Sequence, residues 1–227
     1  DKMTATGDVQ VMLSDGGRAF CNTLRGDIQQ SIAELEGNVL IAYKRMLMDR
    51  GDEALFKINR STGKGLWEGS GQARFLTQPL IVDENNRMQR PAVNVDSQDT
   101  LDDPDSQHVS IRTNWQDSMA IDQHFNDGAL LIDFRGEVVA RSRKVAHELT
   151  EIHSESLQFE FTNDPPPGST EPTNERRLQR VIARDGAKFE HRLWNKEQPD
   201  ELPLVYYIGG NHIEYETETS EILAVGD

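Results

Sequence analysis

The amino-acid sequence predicts an almost all-β protein, a continuous stack of antiparallel strands. Three observations carry that expectation. Apolar residues alternate with polar ones in segment after segment, a short glycine-centred theme recurs inside those segments, and no stretch sustains apolar spacing at i, i+3, i+4 and i+7. The chain has 227 residues, of which 36% are hydrophobic, and its mean hydropathy is −0.66. That length can bury a real core. The low apolar share suits a thin β structure in which every second side chain faces water.

The elements follow in order. Met3, Ala5, Gly7, Val9, Val11 and Leu13 share one parity and predict a strand over 2–13. Ala33, Leu35, Gly37, Val39 and Ile41 predict a second, because the possible helical turn over 29–35 runs on through Gly37 into a β pattern. Gly51–Ile58 reads as a short strand, and Asn59–Gly65 as hairpin-turn chemistry. Trp67, Gly69, Gly71, Ala73 and Phe75 alternate, as do Val109, Ile111, Trp115, Met119 and Ile121. A turn at Asn126-Asp127-Gly128 precedes Leu130, Ile132, Phe134, Gly136, Val138 and Ala140. Leu157, Phe159 and Phe161 mark the next strand. Val181–Phe189 slips parity at Asp185-Gly186, which predicts a bulge. Ile213 and Tyr215 mark the last complete strand, and Ile222–Asp227 opens another.

Ala5-Thr6-Gly7-Asp8-Val9, Leu35-Glu36-Gly37-Asn38-Val39 and Phe134-Arg135-Gly136-Glu137-Val138 are copies of one theme; Gly69-Ser70-Gly71-Gln72-Ala73 is a looser one. Glycine weakens a strand interior, and its usual use there is a bend or a close backbone approach. A corner at the same phase of each repeat predicts a V-shaped or rolled sheet. Two insertions interrupt the pattern: 94–107, with Asp102-Asp103-Pro104-Asp105, and 163–175, with Pro165-Pro166-Pro167-Gly168. The strands on either side keep the same grammar, so residues 1–227 are read as one stack. Asp1 in place of Met, and the strand broken off at Asp227, mark it as a piece of a longer protein.

Charge and motifs narrow the function. The net charge of −15 disfavours a nucleic-acid surface, and Lys and Arg are scattered singly apart from short groups such as Arg141–Lys144. No apolar run reaches the length of a helical membrane span. A single cysteine, Cys21, forms no internal disulfide, and its alternation with Ala19 and Thr23 reads as a small buried residue. His147 and His153 lack the i, i+4 spacing of zinc ligands on a helix; on a strand, His147, Glu151 and His153 share a face but span too far for one ion. His108, His124, His191 and His212 are isolated. Asp102, Asp103 and Asp105 lack the sixth-position glycine of a calcium loop. No nucleophile elbow, Walker loop or dinucleotide fingerprint is present. Spacing therefore gives no catalytic motif, and no metal or other cofactor is expected, while 39 acidic residues leave a carboxylate pair for sugar hydrolysis open.

What remains is the apolar face. In a rolled sheet whose edges do not meet, that face lines a lengthwise trough. Its candidate lining is Val9, Val39, Ile41, Phe56, Phe75, Trp115, Met119, Ile132, Phe134, Val138 and Phe159, with Met46, Met48, Trp67 and Phe161 as further bulky members.

The segments Met3–Val11, Ala33–Ile41, Gly65–Phe75 and Asp133–Val139, with the short strands Gly51–Ile58 and Ile208–Tyr215, resemble the OstA-like family of periplasmic lipopolysaccharide-transport proteins of Gram-negative envelopes. The likeness covers most of the chain outside the two insertions. It implies an open-ended, stacked antiparallel V-shaped β-jellyroll without enzymatic activity. Such a protein holds the lipid A acyl chains of lipopolysaccharide, or a related amphiphile, in its apolar groove while the sugars stay in water. It also implies edge-strand pairing with homologous β-jellyroll transport proteins, and a periplasmic place, alone or as a domain of an envelope-spanning or outer-membrane-associated protein. Two other readings stand beside it: a structural or adhesive β-solenoid with a dry core, and a carbohydrate-active enzyme using acids of the two insertions.

Overall fold

The computed structural model describes residues 1–12, 17–43, 45–51, 54–76, 109–126, 129–143, 147–163, 176–195, 197–198 and 201–226. Among them the chain forms fifteen strands and no helix. β1 (Lys2–Met12) pairs with β2 (Arg18–Asp27). The next pass pairs with β2 as two half-strands, β3 (Ile32–Glu36) and β4 (Val39–Tyr43), separated at Gly37-Asn38. The chain returns as β5 (Met46–Gly51) on β4 and β6 (Leu55–Asn59) on β3. β7 (Lys64–Glu68) then pairs with β6 and β8 (Gly71–Leu76) with β5. β9 (Val109–Trp115) lies on β8, and β10 (Ser118–Phe125) on β7. The later passes are long strands: β11 (Ala129–Ser142), β12 (Glu148–Thr162), β13 (Arg177–Leu193) and β14 (Leu204–Glu216). β15 (Glu221–Val225) pairs with the last third of β14.

Every pairing is antiparallel, and the passes change direction at one common level. The half-strands part at Gly37-Asn38, Gly69-Ser70 and Gln116-Asp117. In the long strands the register shifts at Thr6/Val9, Arg135/Val138, His153/Ser156 and Arg184/Ala187. The recurring glycines sit at that level with positive φ: 102° at Gly7, 72° at Gly37, 94° at Gly69, 81° at Gly136 and 72° at Gly186. The expected bulge at Asp185-Gly186 is there. So is the turn before β7, where the Asn59 carboxamide oxygen accepts hydrogen bonds from the Ser61 and Thr62 amides at 3.0 and 3.1 Å.

The bend divides the sheet into two tiers. The first contains β3, β6, β7 and β10, and the second β4, β5, β8 and β9. β2 pairs with both tiers at one side and β11 with both at the other. The path from β10 through β2 to β11 thus returns to β10, and ten strands, β2 to β11, close into a barrel. The all-β, antiparallel expectation holds, but an open-ended stack does not describe these ten strands. They close because β2 and β11 pass the bend unbroken. β1 extends the sheet from β2, and β12 to β15 extend it from β11. Gly51–Ile58 is not one strand: Gly51 ends β5 and Leu55 begins β6, in different tiers. The insertion 94–107 lies outside the described residues, as does 163–175 apart from Asn163.

Candidate functional site: the inner face

Alternation places Leu35, Phe56, Trp67, Met119, Ile132, Phe134, Leu157 and Phe159 on the inner face of the first tier. Val39, Ile41, Met48, Ala73, Phe75, Trp115, Val138 and Ala140 occupy that of the second; all belong to one hydrophobic cluster. Ring contacts run across the tiers. Trp115 in β9 meets Trp67 in β7 edge-on at 5.9 Å between centroids, and Phe134 in β11 at 5.3 Å. Phe75 in β8 meets Phe159 and Phe161 of β12 at 5.6 and 5.4 Å. Phe189 in β13 faces Tyr215 in β14 at 6.3 Å. Both tryptophans also tie the bend: Trp115 Nε1–H donates to the Gly69 carbonyl at 3.0 Å, and Trp67 Nε1–H to the Ser70 carbonyl at 3.2 Å. A buried indole keeps its polar edge satisfied in this way.

All eleven candidate groove residues lie on this face, brought together from β1, β4, β6, β8, β9, β10, β11 and β12. Val39, Ile41, Phe56, Phe75, Trp115, Met119, Ile132, Phe134, Val138 and Phe159 are buried, while Val9 is half-buried and packs against the same cluster. In the middle of the molecule the face is shut: Trp67, Met119, Ile132, Phe134 and Leu157 expose nothing to solvent. At its two ends it comes to the surface. On β1, Met3 is 47% exposed; on β14 and β15, Tyr206 is 51% and Ile222 37% exposed. These strands also carry the sheet's outer edges, since among the described residues β1 pairs only with β2 and β15 only with β14.

Ion pairs line the outer face of β11 to β14. Arg141 Nε–H and His153 Nε2–H each donate to the Glu151 carboxylate at 2.5 Å. Burial alone would push the Glu151 carboxyl up, but those two hydrogen bonds and the neighbouring positive charge outweigh it and hold the group below its ordinary value. Arg180 bridges Glu216 at 2.7 Å and Glu214 at 3.0 Å, and the hydrogen bond to Glu216 raises the guanidinium further. His147 stands apart from Glu151 and His153, in the turn before β12, 3.9 Å from Glu148. Cys21 is buried on β2, and desolvation pushes its thiol up, away from the reactive thiolate.

Residue-by-residue reading passed over one part of this face, the outer end of the second tier. There Thr150, His191 and Tyr206 stand in register on β12, β13 and β14. The available signal was parity: His191 follows Phe189 by two residues, and Tyr206 precedes Ile208 by two.

No family model, curated protein or solved structure matches the chain.

Proposed function

We propose that this chain is a lipid-handling module of the OstA-like kind, a V-shaped β-jellyroll that pairs edge to edge with homologous modules in the periplasm. In this reading its inner face guides the acyl chains of lipopolysaccharide or a related amphiphile towards the outer membrane. The observation that carries the reading is the continuity of one apolar face through every pass of the chain, surfacing at both edge strands. An added strand on β1 or β15 would prolong that face into the next module. Burial of acyl chains supplies about 25 cal/mol per Å² without specific polar contacts. Binding and passage, not bond-making, are then the activity, and no catalytic group is required. Access begins at the exposed ends, and passage through the middle requires the ring contacts of Trp115 and Phe134 to part.

Those ring contacts favour a second reading, a structural stack whose interior stays dry. Photo-crosslinking separates the two. With benzoylphenylalanine at Ile208, Ile222 or Phe134, the lipid module is expected to capture lipopolysaccharide well above a control at exposed Glu137. Capture at Ile208 and Ile222 but not Phe134 would confine the lipid to the open ends. Labelling at all three sites no stronger than at Glu137 leaves the dry stack.

A further inference from the structure

Towards its outer end the inner face of the second tier sets a polar row between apolar side chains. Three rows run across β12, β13 and β14. Ile152, Phe189 and Ile208 form the deepest, Thr150, His191 and Tyr206 the next, and Glu148, Leu193 and Leu204 the last. Thr150 Oγ1 lies 2.9 Å from His191 Nδ1, which fixes the imidazole and leaves Nε2 with no hydrogen-bond partner among the described residues. The His191 and Tyr206 rings are 6.3 Å apart and inclined by 33°, and the Tyr206 phenol is half exposed. The Glu148 carboxylate, 32% exposed, is held only loosely by His147.

We propose that this rim is a carbohydrate subsite that takes the neutral sugar headgroup of an amphiphile. It rests on the lipid-handling reading and narrows it. A flat, half-exposed phenol offers a platform for the C–H face of a pyranose. The imidazole and hydroxyl of its own row, with a carboxylate one row further out on β12, supply the mixed donors and acceptors that sugar hydroxyls need. Few polar groups converging beside an apolar wall is the usual build of a small-molecule site. Glu148, in a chain of net charge −15, disfavours a phosphate in the same place. The tail would run inward over Ile208 towards Phe189 and Tyr215, which already face each other.

The test is binding of dodecyl maltoside, dodecyl phosphate and maltose, each below any micelle concentration, followed by calorimetry and by NMR shifts of His191 and Tyr206. Dodecyl maltoside is expected to bind at least fivefold more tightly than dodecyl phosphate. Tyr206→Ala and His191→Ala should each weaken the maltoside at least fivefold and change dodecyl phosphate less than twofold, with Tyr206→Phe near wild type. Saturable shifts with maltose alone would identify a free glycan as the source of the sugar; shifts only with the tailed maltoside would identify a glycolipid. Equal affinity for both headgroups, or equal loss of both in the variants, overturns the sugar subsite while leaving lipid binding intact. If neither dodecyl compound binds, both the subsite and the lipid-handling reading are overturned.

Discussion

Gly136 shows what the bend demands of a single residue. Its φ of 81° is a conformation that L side chains rarely adopt, and a Cβ there would stand 2.4 Å from Cγ of Asp117. The Asp117 backbone is fixed, its amide donating to the Arg135 carbonyl at 3.0 Å and its carbonyl accepting from the Gly69 amide at 2.8 Å, so relief needs the exposed Asp117 carboxylate to turn aside. Gly69 has φ of 94° but nothing within 4 Å of its would-be Cβ. Gly69→Ala is therefore expected to cost about 1–2 kcal/mol, from backbone conformation alone. Gly136→Ala should cost about 2–3 kcal/mol, since the close contact adds to that term. Urea midpoints of the two variants check the order; a larger loss at Gly69 would refute it. A second residue prediction concerns pH. The folded Glu151 carboxyl is held below its unfolded value, so its contribution to stability is full above the unfolded pKa, about 4.3. That contribution is lost as pH falls through the folded value. Glu151→Gln should lower the urea midpoint at pH 7, and the difference should shrink progressively as the pH is taken below about 4.3.

At the scale of the element, the bend is held by the paired tryptophans as much as by glycine. Trp115→Phe keeps most of the ring but removes the donor to the Gly69 carbonyl, at a cost of about 1–2 kcal/mol. Trp115→Ala removes the contacts with Trp67 and Phe134 as well and should cost about 3–5 kcal/mol. Thermal unfolding of both variants measures the difference. The strands themselves were legible in the sequence because a period of two leaves its mark on every half-buried strand, and the recurring glycine announced where each would turn. Pairing was not legible. That β6 leaves β5 and joins β3, while β5 stays with β4, depends on partners that local periodicity does not name. Gly51–Ile58 consequently read as one strand when it straddles the two tiers. The same holds for the sugar-facing rim. Parity alone puts His191 and Tyr206 on the inner face, but Thr150 is 41 residues from His191, and only the β12–β13 register joins them.

For the whole molecule, the two outer edges are where the proposed pairing would act. β15 presents Leu223 at 59% and Val225 at 51% exposure, an apolar edge of the kind that recruits another strand. A net charge of −15 opposes association of copies at low salt, and ions screen that repulsion. Sedimentation at micromolar concentration is expected to show larger species as sodium chloride rises from about 0.05 to about 0.5 M, over which the Debye length shortens about threefold. Leu223→Lys with Val225→Lys should keep the protein monomeric throughout. Salt-independent monomers of the unaltered chain would remove edge pairing from the account.

The shared level of the bends has an evolutionary consequence. Because each pass meets the next at the same height, one down-and-up hairpin is an interchangeable part. Gene segments encoding residues 129–162 could be copied in frame, lengthening the molecule by two rungs while the older contacts stay as they were. Growth that breaks into a rung halfway would instead put every later side chain out of step. Length in such a lineage should thus change in whole hairpins, and irregular additions should collect where β8 passes to β9 and β12 to β13, at the hairpin tips.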